Sequence, residues 1–206
     1  IIDIRDNQIA QLHPDTFKGL AKVTRIFLNS NPITYFDPTT FRDTVNLQRL
    51  LLGACELSNL DPAMFSTLRN LVIMDLYSNN LETFPSNAQL TNLTSLVLSF
   101  NNFTSIEAHY MDQFVNLDEF HINNNQITTI ESNSFYNLAK LRFLSIAWNN
   151  LTEIPGNLFI YNQNLQTLLL ENNQISTLRG NVFTGLSSLA TLYVSDNPLM
   201  HIDTNT

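Results

Sequence analysis

The stretch "LSIAWNNL", residues 144–151, places the only tryptophan of the chain directly before two asparagines. Leu144 and Ile146 alternate as the buried side of a strand does, and continuing that alternation would bury Trp148. A strand interior has no use for Asn149 and Asn150, however. Recurrence resolves the conflict. An asparagine with an apolar residue three before it and another two after it stands at Asn7, Asn31, Asn79, Asn101, Asn125, Asn149, Asn173 and Asn197, and Cys55 fills the one gap. The steps are 24 residues throughout except for one of 22 between Asn79 and Asn101. A fixed period of this size marks a chain built from stacked units.

Superposing the nine units gives columns that can be read physically. Five residues before the ladder position stand Ile2, Ile26, Leu50, Met74, Leu96, Phe120, Leu144, Leu168 and Leu192. Three before it stand Ile4, Leu28, Leu52, Leu76, Leu98, Ile122, Ile146, Leu170 and Val194. Both columns are apolar without exception, as the inward positions of a short strand must be. The column between them mixes Asp3, Phe27, Leu51, Asp75, Val97, His121, Ser145, Leu169 and Tyr193, which predicts an outward face. Ten residues beyond the ladder runs a second spine of Phe17, Phe41, Phe65, Met111, Phe135, Phe159 and Phe183. The 22-residue unit lacks this residue, which predicts a locally thinner outer wall there.

With these columns in place the chain resembles the leucine-rich repeat family, in particular its extracellular animal class with the pattern LxxLxLxxNxLxxLxxxxFxxLxx. "LQTLLLENNQISTLRGNVFTGLSS", residues 165–188, matches that pattern almost letter for letter. The resemblance implies an α/β solenoid, a horseshoe with a concave parallel β-sheet and an irregular or short-helical convex side. It implies one domain over residues 1–206, of about nine repeats with both terminal ones incomplete, and an extracellular location, secreted or in the ectodomain of a membrane protein. The ladder residues of such a family satisfy backbone groups of adjacent turns, and Cys55 reads as a small substitute able to donate weakly. Thr44 and Asn162 fall at a usually apolar convex position and predict irregular packing. Neither end carries a cysteine-rich cap, so the chain reads as a fragment of a longer protein.

Composition narrows the function classes. The chain has 206 residues, 44% of them hydrophobic, with a formal charge of −8, which fits a globular domain and argues against nucleic acid or an anionic membrane as partner. Apolar runs are too short for a membrane span. The single cysteine cannot form an internal disulfide. Asparagine is the outlier, at 28 residues against five glycines and seven prolines, so loops alone do not account for it.

The column one before the ladder reads Asp6, Ser30, Ala54, Ser78, Phe100, Asn124, Trp148, Asn172 and Asp196. Unpaired aspartates and asparagines cannot be buried, so Phe100 and Trp148 are predicted to be exposed on the rim of the concave sheet. Tyr77, Val97, Phe100, His121, Phe143 and Trp148 occupy outward columns of four consecutive strands and form the candidate ligand-binding patch. Phe27 and Leu51 flank it on one side, Leu169 and Tyr193 on the other. Charge on the same face is weakly sorted, Arg5, Arg25 and Arg49 towards the N-terminus and Asp118, Glu119, Glu171 and Asp196 towards the other end.

Glu119, His121 and Ser145 superficially offer an orienter, a base and a nucleophile, but no oxyanion-hole turn or closed pocket accompanies them, and no catalytic residue is assigned. His13, His109, His121 and His201 have no metal-ligand spacing, and no cofactor is implied. Three glycosylation triplets begin at Asn92, Asn102 and Asn150; composition alone predicts about five, so they do not establish secretion. The reading is a non-catalytic module that binds a protein ligand or co-receptor on its concave face, in innate immune recognition or cell adhesion. The alternatives are a scaffold that pairs with itself as a homodimer, and recognition of a microbial glycan or lipid.

Overall fold

The structure is a computed structural model describing residues 1–86 and 88–203. Its elements are short: β1 Ile2–Asp3, β2 Arg25–Phe27, β3 Arg49–Leu51, β4 Ile73–Asp75, β5 Ser95–Val97, β6 Ser105–Ile106, α1 Ala108–Met111, β7 Glu119–His121, β8 Thr129–Ile130, β9 Phe143–Ser145, β10 Thr167–Leu169, β11 Thr177–Leu178, β12 Thr191–Tyr193 and β13 His201–Ile202. A single 3-10 turn, Pro62–Phe65, sits on the outer side and is capped by Asp61, whose side chain accepts from the Ala63 N–H.

Nine strands form one parallel sheet in the order β1-β2-β3-β4-β5-β7-β9-β10-β12, each beside its sequence neighbour of the same repeat position. Parallel neighbours need a long connection between them, and here each connection returns across the convex side, which makes the chain a solenoid. Register follows the ladder: Ile26 pairs with Leu50 and Leu144 with Leu168, 24 residues apart, while Met74 pairs with Leu96 across the 22-residue unit. The two missing residues therefore fall outside the strands and leave the sheet in phase. Two further parallel pairs, β6 with β8 and β11 with β13, lie on the outgoing limbs.

The inward columns form one continuous core. From Ile26 to Leu170 both columns are buried, while Ile2, Ile4, Leu192 and Val194 in the end units are half-buried because a neighbour covers only one side. Phenylalanines stack from turn to turn in the outer layer, Phe17 on Phe41 at 5.6 Å and Phe135 on Phe159 at 5.8 Å between ring centroids. In the short unit the spine position holds Gln89, exposed and left-handed at φ 56°. A surface hollow of about 480 Å³ opens beside it, lined by Ser86, Gln89, Thr91, His109, Asp112 and Gln113. The outer wall is thinner there, yet the core below stays filled: Phe84 supplies the missing ring, 6.1 Å from Phe65 and 5.5 Å from Phe114.

Asparagine side chains bind the turns together. Asn101 Nδ2 donates to the Leu98 carbonyl of its own turn at 3.1 Å and to Leu76 of the preceding turn at 2.9 Å, and its Oδ1 accepts from the Leu81 N–H at 3.0 Å. Asn31, Asn79, Asn125, Asn149, Asn173 and Asn197 repeat the pattern. Asn7, in the first turn, donates only locally, to Ile4 and Arg5. Cys55 replaces the donor with a thiol, Sγ to the Leu28 carbonyl at 3.4 Å, but offers no carbonyl oxygen. The Ile33 N–H, which would have used that oxygen, donates instead to the Asn31 carbonyl at 2.7 Å.

A second asparagine series lies along the edge where the chain returns to the sheet. Asn46, Asn70, Asn92, Asn116 and Asn164 each donate to a carbonyl of the preceding turn, namely Ala21, Val45, Arg69, Thr91 and Ala139, at 2.7–2.9 Å. Thr44 and Asn162, expected from sequence to pack irregularly, enter the core as polar groups, and Asn162 Oδ1 is left buried without a hydrogen-bond partner. Both are fully buried and bond backbone: Thr44 Oγ1 donates to Phe41, and Asn162 Nδ2 donates to Phe135 and Leu138 at 3.0 and 2.9 Å. A polar side chain fits a usually apolar site when it finds carbonyls that need a donor. Among the described residues no helix is long and apolar enough to cross a membrane.

Candidate functional site

Each concave strand ends the same way. The residue one before the ladder is left-handed in all nine units, from Asp6 at φ 54° through Phe100 at 59° and Trp148 at 55° to Asp196 at 55°. The turn swings the chain off the sheet so that the ladder side chain points inward. Aspartate, asparagine and serine suit it because their short polar side chains tolerate this backbone, whereas phenylalanine and tryptophan there are genuine outliers. The polar character of the column, which sequence explains by exposure alone, has this second cause. Phe100 and Trp148 are also exposed, at 46% and 56%.

The candidate patch divides into two ring pairs and one isolated ring. Tyr77, 43% exposed, packs on Phe100 with centroids 5.0 Å apart. His121 stacks on Phe143 at 4.6 Å, because Phe143 faces Glu119 across β7 and β9, two residues along the strand from His121 and on the same face. Trp148 makes no ring pair with another described residue. Val97 lies half-buried between Asp75 and His121 in the sheet register. Of the flanking residues, Phe27, Leu51 and Leu169 are half-buried while Tyr193 is 57% exposed. Arg5 covers the Phe27 ring at 5.3 Å.

Electrostatics differ between the two ends of the face. Arg5 is bonded to Asp3, Nε to Oδ1 at 2.9 Å and Nη2 to Oδ2 at 2.8 Å. Asp118, read from sequence as part of the concave charge, lies instead at the sheet edge in a two-pronged bond with Arg142, which holds its carboxyl below the usual range. Asp118 precedes β7, and the chain has not yet turned onto the concave face there. Asp75 is different: burial pushes its carboxyl pKa up, against the pull of the Tyr77 N–H that it accepts at 2.9 Å. Burial lowers the pKa of His121, opposed by Glu119 and Asp75.

The Glu119, His121 and Ser145 arrangement comes together only in part. His121 Nε2 stands 3.9 Å from Glu119 Oε2, and Ser145 is its register partner, but Ser145 is 4% exposed and makes no hydrogen bond to His121. Of the glycosylation triplets, Asn92 is committed to the Arg69 carbonyl, Asn102 Oδ1 accepts from Gln126 Nε2 at 3.3 Å, and Asn150 is exposed. An open groove of about 500 Å³ runs along the edge among Asn92, Asn116, Asp118, Lys140 and Arg142; sequence reading missed it, though the edge asparagines share the ladder's spacing.

Fold and face together describe a repeat solenoid with an open concave sheet. The profile described as "Leucine rich repeat" matches residues 1–57, 45–89, 91–151 and 144–199, and the chain belongs to the leucine-rich repeat family. No curated protein matches the chain. Among solved structures it is similar to a chain of the "Structure of the Toll - Spatzle complex, a molecular hub in Drosophila development and innate immunity", with a TM-score of 0.79 and 21% identity. The match covers 98% of this chain and 30% of that one, so this chain spans less than a third of that relative. At this identity the likeness shows a shared fold.

Proposed function

We propose that the chain is an extracellular protein-recognition module that binds a protein ligand across its concave face, with Tyr77, Val97, Phe100, His121, Phe143 and Trp148 as its contact patch and no chemistry of its own. The observation that carries this reading is the backbone under Phe100 and Trp148. Bulky residues held left-handed cost roughly 1–2 kcal/mol each, a cost that the Tyr77 contact offsets in part for Phe100 and no ring pair offsets for Trp148. Such residues are the hot-spot types of interfaces. Membership in the repeat family supports a binding rather than a catalytic role, and the likeness to a receptor–ligand complex supports an innate immune setting and an extracellular location. A glycan on Asn150, at the exit beside Trp148, would border the patch.

A panel of purified extracellular proteins, screened against wild type and against Phe100→Ala and Trp148→Ala, tests the reading. Binding that both variants lose, with circular dichroism unchanged, supports it. Ligands bound equally well by both variants remove the patch from the interface.

A further inference from the structure

The concave face grows more acidic along its length. In the first three units its strand and exit residues carry Arg5, Arg25 and Arg49 beside Asp3 and Asp6, with Arg5 bonded to Asp3. From β4 to the exit of β12 the same positions carry no lysine or arginine, but hold carboxylates at Asp75, Glu119 and Glu171 among the exposed rings and at Asp196 at the far end. Elsewhere four acids meet a cation, Asp3 with Arg5, Asp15 with Arg42, Asp118 with Arg142 and Glu153 with Arg179. Asp75, Glu119 and Glu171 form no ion pair with lysine or arginine among the described residues. Asp75 accepts from the Tyr77 backbone, Glu119 stands 3.9 Å from His121 with Arg142 further off, and Glu171 Oε2 is buried with no hydrogen bond.

Carboxylates set among aromatic rings lose hydration and repel one another, and an incoming cation relieves both effects. Their spacing says what kind. Asp75, Glu119 and Glu171 stand two strands apart around the sheet and at different heights along their strands, so successive carboxylates are separated by more than roughly 10 Å. One small ion cannot bridge that distance, and no group of three potential metal ligands exists among the described residues. Several cationic side chains on one partner can reach all three, and exposed tyrosine and tryptophan faces attract the same groups.

Resting on the recognition role proposed above, we infer that the concave face from β4 to β12 docks a basic protein segment, one that presents arginine or lysine side chains to Asp75, Glu119 and Glu171 and lays them over Tyr77, Phe100 and Trp148. The charge of the face selects the partner, and the rings anchor it.

The test titrates the whole chain with a synthetic arginine-bearing peptide and its citrulline and glutamate counterparts, read by Trp148 fluorescence. The arginine peptide is expected to shift the emission with an affinity that falls as salt rises, and the other two to bind about tenfold more weakly or less. The variant Asp75→Asn/Glu119→Gln/Glu171→Gln is expected to lose about tenfold for the arginine peptide. A control removing the same charge at Glu56, Glu82 and Asp203 is expected to lose little. Equal binding of the citrulline peptide, or an equal loss in the control, overturns the inference. A Trp148 blue shift with rising protein concentration that Arg25→Gln abolishes overturns it too, by assigning the face to a second copy. If the ring variants lose a protein ligand that the carboxylate variant keeps, the basic partner fails while the recognition role stands. If the ring variants keep it, the recognition role itself fails.

Discussion

The Tyr77 and Phe100 rings meet with centroids 5.0 Å apart and planes tilted by 58°, although they stand at different distances from their ladder asparagines, two residues before Asn79 and one before Asn101. Each solves a problem for the other: Tyr77 shields one face of a Phe100 that its backbone forces outward. A double-mutant cycle through Tyr77→Ala and Phe100→Ala, followed by thermal unfolding, is expected to show a coupling of about 0.5–1.5 kcal/mol. Strict additivity would mean that the rings touch without stabilising one another.

Replacing the outlier aromatics by the residue their column prefers separates stability from binding. Trp148→Asn is expected to stabilise the fold by about 1 kcal/mol, since asparagine tolerates the left-handed turn, and Phe100→Asn to gain less, because it also gives up the contact with Tyr77. Both are expected to weaken ligand binding. Urea denaturation checks the first expectation, and a loss of stability in both variants would contradict the strain argument.

The two asparagine series are expected to differ in worth. Asn101→Ala orphans the buried Leu81 N–H and leaves the Leu76 and Leu98 carbonyls to their remaining donors, Asn79 and Asn125, and should cost about 1–3 kcal/mol. Asn92→Ala releases the Arg69 carbonyl at an exposed edge where water replaces the donor, and should cost less than about 1 kcal/mol. Chemical denaturation of the two variants side by side decides it.

Cys55 is buried, and burial pushes its thiol pKa up to about 11. Thiolate is scarce below that value, so iodoacetamide at pH 8 should label the native chain only as fast as the site opens, and labelling should accelerate on adding urea. Rapid labelling of the folded chain would place the thiol in solvent.

Asp75 and His121 pull stability in opposite directions with pH. Burial raises the Asp75 pKa above 3.8, so the folded state holds that proton more tightly and loses stability as pH rises through the folded value. Asp75→Asn, which keeps the acceptor for the Tyr77 N–H, is expected to be more stable than wild type at pH 7, with the gap closing below pH 3.8. His121 has a folded pKa below 6.5, so its contribution is present above 6.5 and is lost as pH falls through the folded value. His121→Gln should flatten that part of the melting-temperature profile. Thermal melts across pH check both, and a wild type matched by Asp75→Asn at pH 7 contradicts the burial argument.

Much of this was legible because repetition lets one chain align with itself. The two apolar columns, the ladder from Asn7 to Asn197 and the outward position of Trp148 are all consequences of period, and a period survives in sequence. What escaped reading depends on which side chains meet between neighbouring units, a matter the period alone does not fix. Phe84 restores the aromatic layer from outside the spine column, Asn162 finds two carbonyls of the preceding turn, and Asp118 turns to the edge to meet Arg142. The left-handed column lay between these cases, since asparagine, aspartate and serine are enriched both by exposure and by positive φ, and sequence alone does not tell the two causes apart.

The sequence by itself determined the solenoid, because an apolar strand pattern repeated nine times with a hydrogen-bonding residue at each exit can bury its core only by stacking turn on turn. Only the tertiary structure decided which outward residues act together. Pairing Tyr77 with Phe100 and His121 with Phe143, and leaving Asp75, Glu119 and Glu171 without a cation, depends on the register between parallel strands and on the fixed exit turn, which no single repeat contains.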